Sequence, residues 1–404
     1  MYDGELTETR PGWPRLGLLW LLGIDLRLTI LAVPPVLPLI HHDLHLDEKM
    51  VAALTGLPVL LFGIAAIPGS LLIARIGARR AVVAGVLLVS IASALRGLGP
   101  SVPMLFAMTA VMGAGVAVMQ PALPTLVGLW FPTRVPLATA MYANGLLIGE
   151  MVPASLTIPL VLPVLGGSWA GSFVLWGVPV LVTAFLVLAF TPHAEVRRRH
   201  LRVRWWPDWH DIRTWQLGFM LGGVAATYFG CNAFLPDYLH AIGRPHLVDA
   251  GLTALNAGQL PASFYIMWRG KHLVGRRLPF VVMAMVSLLC LFGLMVPSAP
   301  VIVTAAGMIG FCAAFMLILA LASPPVLARQ EDVHRMAAGM LALGYTITFI
   351  VPYIGGAVWD ATHLTEAALL PGVAGALLVG FVGATFRLER KGRLERGGRL
   401  EREG

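Results

Sequence analysis

The feature that most limits what this chain can fold into is a series of long apolar runs separated by short polar segments. A helix that crosses the hydrocarbon core of a bilayer needs about 20 mostly apolar residues. Twelve runs near that length occur along the 404 residues. Six lie in the first half, at 16–40, 49–74, 81–98, 102–128, 135–163 and 169–191, and six in the second, at 214–240, 248–270, 278–296, 300–325, 336–358 and 365–386. The sequence therefore predicts an all-α membrane protein with twelve transmembrane helices.

The composition argues against a string of soluble domains of the same length. Hydrophobic residues make up 57% of the chain and charged residues only 12%. A soluble domain carries roughly 25% charged residues, because its surface must be wetted. The mean hydropathy of +0.79 is typical of a chain that lies in a lipid bilayer. We therefore expect the bilayer to be a partner of the protein.

No residue pattern predicts a cofactor or a metal site. The cysteines lie singly in apolar runs, at Cys231, Cys290 and Cys312, without the spacing of metal ligands or of a disulfide framework. His41, His42 and His45 lie close to Asp43 in an outer loop, where we expect them to be solvated. The chain contains neither a phosphate-binding loop nor a His-Glu-x-x-His motif, so we expect no cofactor.

The distribution of positive charge predicts the orientation of the chain. With twelve spans both termini lie on one side, and that side holds 25 of the 29 Lys and Arg residues. The loops of the other side hold only Lys49, Arg96 and Arg244. Because cytoplasmic loops carry the excess of Lys and Arg, we expect both termini in the cytoplasm. The net charge of +8 then reflects topology, and it does not indicate a nucleic-acid partner.

The two sets of six runs share a short basic loop. Arg75-Ile-Gly77-Ala-Arg79-Arg80 follows the second run, and Leu273-Val-Gly275-Arg276-Arg277 follows the eighth run, 198 residues later. A repeat of this kind indicates two related halves. We predict an N-terminal six-helix bundle over 1–192, a cytoplasmic linker over 193–213, a C-terminal six-helix bundle over 214–386 and a cytoplasmic tail over 387–404.

The linker is basic and rich in tryptophan. Trp205, Trp206 and Trp209 lie within five residues of each other, and tryptophan prefers the level of the lipid headgroups. This pattern predicts an amphipathic helix lying at the membrane interface.

The basic loop resembles the Gly-x-x-x-Asp-Arg-x-Gly-Arg-Arg signature of the major facilitator superfamily. The matching residues are Arg75, Gly77, Arg79 and Arg80 in the first copy and Gly275, Arg276 and Arg277 in the second. Ser70 and Ala74 replace the first Gly and the Asp, and His272 occupies the acidic position of the second copy. The resemblance implies two pseudo-symmetric six-helix bundles and a gating role for these loop residues.

The first run is similar to that of the cyanate-permease and nitroimidazole-transporter branch, which carries Asn-Leu-Arg-Pro. Here the run reads Asp25-Leu26-Arg27-Leu28, followed by Pro34-Pro35. The resemblance implies a secondary active transporter, not an enzyme, in the cytoplasmic membrane of a bacterium. We expect a small anion or a compact polar organic molecule as its substrate, coupling to protons, and a monomer. A multidrug efflux transporter is the alternative within the family, and a non-transporting sensor or an intramembrane enzyme is the alternative outside it.

Arg27 is the most informative single residue. It lies about 11 residues into the first run, or about 16 Å at 1.5 Å per residue, near the middle of a core about 30 Å thick. An arginine there costs at least about 2.5–3.5 kcal/mol and therefore faces a cavity or a partner. Substrate contact and a structural ion pair with Asp25 or Glu150 both explain it.

Other polar residues recur at helical spacing inside the runs. Because residues three or four apart share one helix face, they predict a common central cavity. The predicted substrate-binding residues are Arg27, Gln120, Tyr142, Tyr228, Asn232, Asn256, Gln259 and Tyr345. The predicted proton-coupling residues are Glu150 and Asp25, and Asp25 lies about 200° around an ideal helix from Arg27, too far around for direct pairing.

Overall fold

The computed structural model describes residues 12–46, 48–99, 101–191, 204–362 and 364–386. Within these ranges the chain forms α-helices joined by short 3-10, π and irregular segments, and no strand occurs in them. Residues 193–203 of the predicted linker and the predicted tail over 387–404 lie outside the described residues.

Every predicted run contains helix. The helices of the first half are α1 (Trp13–Asp25), α2 (Leu37–Leu44), α3 (Glu48–Ile64), α4 (Ala66–Ile76), α5 (Ala78–Leu98), α6 (Val102–Trp130), α7 (Val135–Leu156), α8 (Leu162–Val164) and α9 (Trp169–Phe190). Those of the second half are α10 (Ile212–Ala241), α11 (Val248–Ala257), α12 (Gln259–Arg269), α13 (Leu278–Gly293), α14 (Ala299–Ala322), α15 (Pro324–Leu327), α16 (Val333–Thr362) and α17 (Leu370–Thr385).

Several runs are divided into shorter helices. Among the described residues, eight helical segments are long and apolar enough to cross a membrane, some of them made of an α-helix and the short helical turn next to it, and α3 with α4 forms a ninth such unit bent by 52°. The first, eighth and ninth runs consist of shorter pieces, namely α1 with α2, α11 with α12, and α13. Breaks of this kind inside a membrane protein are tolerated where the freed backbone groups find partners.

Helices of each half pack chiefly on one another. In the first half α5 contacts α6 and α9, and α1 contacts α7; in the second half α10 contacts α16 and α17. The two halves meet where α7 contacts α12 and where α16 contacts α3, α4 and α6. The interface between the halves therefore runs past the residues that the sequence places in a central cavity.

The described part of the linker is not the amphipathic helix that the tryptophans predicted. Residues 204–211 form bends and turns, and their backbone is bonded to both halves. Ser70 of α4 donates to Trp205 O at 2.7 Å, and Arg335 of α16 donates to Trp206 O at 2.8 Å. These bonds satisfy carbonyls that a helix would have used internally.

Arg96 is not a loop residue, so its assignment to the outer loops was wrong. It lies in the last turn of α5, and its side chain is completely buried. Its guanidinium lies over the ring of Phe173 in α9, 4.4 Å from the ring centroid.

Candidate functional site

The first span is interrupted ahead of its proline pair. A proline has no N–H to donate to the carbonyl four residues earlier, so Pro34 leaves Ile30 O without its helical donor. The Val33 N–H donates to Ile30 O instead, at 3.3 Å. Residues 26–33, which end at this proline, form irregular turns between α1 and α2. Arg27 lies in this irregular stretch.

The contact between α1 and α7 is so close that only glycine fits there. A Cβ added to Gly149 would lie 2.3 Å from Ile24 O, and one added to Gly145 would lie 2.1 Å from another backbone oxygen of α1. Small residues let membrane helices approach backbone to backbone in this way. The contact brings Glu150, the neighbour of Gly149, beside Arg27, which is three residues after Ile24.

Arg27 and Glu150 form an ion pair across that contact. Arg27 Nε lies 3.2 Å from Glu150 Oε1, with the two side chains 11% and 21% exposed. The guanidinium also lies over the ring of Phe62 in α3, 5.3 Å from its centroid. Pairing offsets part of the cost of holding a charge inside the membrane. Of the two carboxylates considered for Arg27, the structure pairs it with Glu150.

Asp25 occupies a different environment from Glu150. It is 2% exposed and lies beside Thr183 of α9. Its Oδ2 has no hydrogen-bond partner among the described residues. The structure therefore places Asp25 against a neighbouring span and apart from the Arg27–Glu150 pair.

The second half supplies a hydrogen-bonded polar group built on α10, α11 and α12. The Tyr228 hydroxyl donates to Asn256 Oδ1 at 2.5 Å and accepts from Gln259 Nε2 at 2.9 Å. Asn256 Nδ2 lies 3.4 Å from Asn232 Oδ1. Tyr228 is close enough to Arg27 and Glu150 to interact electrostatically with both. The four side chains of this group (Tyr228, Asn232, Asn256 and Gln259), hereafter the α10–α12 network, thus adjoin the ion pair.

Tyr345 of α16 connects the halves at the same place. It lies beside the Arg27 guanidinium, and its ring centroid is 5.2 Å from that of Phe62. Tyr142 of α7 is 2% exposed and Gln120 of α6 is 7% exposed. The Tyr142 hydroxyl and Gln120 Oε1 have no hydrogen-bond partner among the described residues. The structure does not join Gln120 to the ion pair by any described bond.

One polar contact between the halves was missed by the sequence reasoning. Asn144 of α7 donates to Ser263 Oγ of α12 at 2.9 Å and accepts from Trp20 Nε1 of α1 at 3.0 Å. Asn144 is a single amide in an apolar run, two residues after Tyr142 and six before Glu150. That isolation was the available signal, because a buried amide in a membrane helix needs partners.

The two basic loops share a backbone feature. Gly77 has φ +85° and Gly275 has φ +83°, a region that residues with a Cβ rarely adopt. Beyond Gly77, Arg79 Nε donates to Thr191 Oγ1 at 2.5 Å and Arg79 Nη2 donates to Leu188 O at 2.8 Å. The first loop is thereby tied to the end of α9, while the gating role of both loops stays a prediction.

The histidines that the sequence placed in an outer loop lie in α2 (His41 and His42) or directly after it (His45), and they do not assemble a metal site. Within the described ranges no group of three or more His, Cys, Asp or Glu side chains has the arrangement of metal ligands. Asp43 instead accepts hydrogen bonds, from Trp169 Nε1 at 2.7 Å and from His42 Nδ1 at 3.1 Å. These bonds, that from His42 foremost, stabilise the carboxylate and lower the pKa of Asp43 below its usual value.

Known proteins match the chain over most of its length. It is 26% identical over 346 residues to the cyanate transport protein CynX of Escherichia coli (strain K12), covering 83% of this chain and 87% of that protein. It is also 26% identical over 375 residues to the 2-nitroimidazole transporter of the same organism, covering 90% and 92%. Among solved structures, FucP in the outward conformation superposes with a TM-score of 0.72 over 92% of this chain and 98% of FucP, at 14% identity.

These similarities confirm the predicted twelve-helix fold. They also support a multi-pass membrane protein whose relatives are transporters. The model of the Major Facilitator Superfamily matches residues 19–255, which is more than half of the chain. The chain belongs to the Major Facilitator Superfamily.

Proposed function

We propose that the protein is a secondary transporter that moves a small anion or a compact polar organic molecule by alternating access, in symport with protons. Its relatives include a cyanate transport protein and a 2-nitroimidazole transporter, which supports this substrate class. In the proposed orientation the end of the protein with the two basic loops and the linker faces the cytoplasm, because positive loops are retained there.

The observation that carries the proposal is the Arg27–Glu150 pair, 3.2 Å apart and not completely buried. A guanidinium is a planar, permanently charged donor that suits an oxyanion or another planar acceptor. While Glu150 is ionised, its carboxylate is paired with the Arg27 guanidinium, which is then not available to a substrate anion. Protonation of Glu150 removes the competing charge, so that an anion can take its place. Anion and proton then enter together, and the site keeps its net charge.

The α10–α12 network supplies the neutral side of the proposed site. Tyr228, Asn256 and Gln259 already form a bonded set, and amide and hydroxyl groups both donate and accept. Such groups orient a compact polar molecule without adding charge. Since Arg27 is the permanent cation of the cluster, one negative charge or one strong dipole on the substrate matches the site.

Transport in proteoliposomes tests the proposal. We expect cyanate, nitrate or 2-nitroimidazole to accumulate when a pH gradient is imposed, acid on the side of entry, and to exchange in counterflow without a gradient. In Glu150→Gln the carboxyl group is lost while shape and hydrogen bonding are largely kept. We expect this variant to lose gradient-driven accumulation and to retain counterflow.

Asp249→Asn is the matched control, because Asp249 is an exposed carboxylate in the first turn of α11. It should accumulate substrate as the unmodified protein does. Gradient-driven uptake that survives in Glu150→Gln would exclude Glu150 as the proton carrier. Transport of a lipophilic cation such as tetraphenylphosphonium, with none of the three named probes transported, would favour multidrug efflux instead.

A further inference from the structure

Arg96 is a buried cation that the proposed transport cycle does not use. Its side chain has 0% exposure, and the ring of Phe173 covers its guanidinium. One nitrogen, Nη2, lies 2.9 Å from Thr29 O and 3.4 Å from Ser93 Oγ. Nε and Nη1 have no hydrogen-bond partner among the described residues. Burying a cation so deeply costs free energy unless its partners compensate for the lost hydration.

The bond to Thr29 O has a specific structural meaning. In a continuous helix the Val33 N–H would donate to Thr29 O, four residues earlier. Here Val33 donates to Ile30 O, which Pro34 cannot serve. Thr29 O is thereby left without its helical donor inside the membrane, where an unsatisfied carbonyl costs several kcal/mol. Arg96 supplies the donor that Thr29 O lost when the Val33 N–H bonded to Ile30 O.

We propose that Arg96 is a positioning residue: it stabilises the irregular stretch 26–33 and so holds Arg27, two residues before Thr29, at the ion pair with Glu150. A bond from an ionised donor is about twice as strong as a neutral one. Phe173 fixes the guanidinium plane, so Nη2 points at one carbonyl. Arg96 thus acts on the substrate site through the backbone of the first span.

Amide hydrogen exchange followed by mass spectrometry tests this without any substrate. The variants are Arg96→Met, which keeps much of the length but has no donor, and Arg96→Lys, which keeps a charged donor group on a single nitrogen. Ser93→Ala is the matched control, because it removes the longer contact of Nη2 and the bond from Ser93 Oγ to Phe173 O but leaves the bond to Thr29 O in place. We expect exchange over residues 26–33 to rise about tenfold in Arg96→Met, which corresponds to about 1.4 kcal/mol. It should rise less in Arg96→Lys and hardly at all in Ser93→Ala, with α1 and α7 unchanged in all three.

Transport gives the second readout, and for it the proposal rests on the proposed function of Arg27. Misplacing Arg27 should raise KM for the transported probe in Arg96→Met more than it lowers kcat, with partial recovery in Arg96→Lys. Unchanged exchange over 26–33 in Arg96→Met would overturn the positioning role. So would an increase spread evenly over all peptides, since that is the result of general destabilisation. If Arg96→Met does not fold, exchange in Arg96→Lys decides: a rise confined to 26–33 supports the proposal, and no rise overturns it.

The two proposals fail separately. If none of cyanate, nitrate and 2-nitroimidazole is transported by the unmodified protein, the proposed function is wrong, while the local exchange result still measures what Arg96 does to the first span. If transport occurs but the exchange rate over 26–33 is the same in the Arg96 variants as in the unmodified protein, the proposed function stands and the positioning role is wrong.

Discussion

The first and seventh spans occupy equivalent places in the two halves, yet they are built differently. The first consists of α1, an irregular stretch at 26–33, a 3-10 turn and α2, while the seventh is one helix, α10, of 30 residues. The irregular stretch carries the charged Arg27. The equivalent residue of α10, offset by 205 positions, is the neutral Asn232. One half therefore contributes charge on an interrupted backbone, and the other contributes amides and hydroxyls on a continuous helix.

The number of prolines and their neighbours explain the difference. The seventh span contains a single internal proline, Pro236, and an isolated proline is tolerated in a membrane helix. The first has Pro34 and Pro35 together, so two successive residues lack an N–H, and each also disfavours a helical residue before it. With Pro38 in α2, the interrupted span therefore holds three prolines, two of them adjacent, where the continuous span holds one isolated proline.

The largest effect should follow removal of the charge from the first span. We expect Arg27→Ala to lower transport at least about thirtyfold, because truncating one partner of a buried charge pair costs about 2–5 kcal/mol. Arg27→Lys should recover little of this, since an ammonium cannot reproduce a planar fork. Initial rates of probe uptake in proteoliposomes measure both.

Arg244→Ala is the control for losing an arginine. Its Nη2 donates to Pro297 O at 2.9 Å in an exposed loop, so transport should be unaffected. Full activity in Arg27→Ala or Arg27→Lys would show that transport does not depend on the charge of the first span, and the contrast between the two spans would then have no functional meaning.

A smaller effect should follow removal of one hydroxyl from the seventh span. Tyr228→Phe takes away the donor to Asn256 and the acceptor for Gln259. We expect KM for the transported probe to rise about tenfold, because a buried polar group left unsatisfied costs about 1–3 kcal/mol. Tyr353→Phe, on an exposed side chain of α16, is the control. An unchanged KM in Tyr228→Phe would remove the α10–α12 network from the proposed site.

The smallest effect should follow a proline change in the continuous span. We expect Pro236→Ala to alter transport by less than about twofold, because the neighbours of a membrane helix already satisfy the carbonyl that an isolated proline frees. Pro34→Ala should lower transport more, since it returns a donor to Ile30 O and so changes the backbone of the irregular stretch that carries Arg27. Equal effects of the two alanine variants would contradict the contrast between the spans.

The sequence predicted the helical content and the order of the spans but not their continuity. Run length and apolar composition report whether a segment suits the bilayer, and both were sufficient to locate helix in every run. They do not report bends. The 52° bend between α3 and α4 falls at Ala65, three residues before Pro68, which has no N–H to donate to Ile64 O. Its signal is one proline, which run length and composition do not register.

For the site, the sequence found the charged and hydroxyl groups but not all their partners. The sequence alone shows which polar or charged residues interrupt an apolar run and how they are spaced. This was sufficient to select Arg27, Glu150, Tyr228 and Tyr345. The environment of Arg96 was not predictable. It depends on a ring from another span and on a carbonyl freed by a proline five residues further along, and both are contacts distant in sequence.

The linker is hydrogen-bonded to both halves at the basic end of the protein. Three successive carbonyls of the linker, those of Arg204, Trp205 and Trp206, are held by His334, Ser70 and Arg335, the first at 3.3 Å. A hydrogen bond of this kind contributes about 0.5–1.5 kcal/mol. Together the three bonds would favour the state that contains them by a few kcal/mol. A free-energy difference of this size leaves the other state of a two-state protein about 0.1–10% populated. In the proposed alternating-access cycle, a bias of this size would favour the state in which the basic ends of the two halves are joined and would still allow thermal motion to separate them.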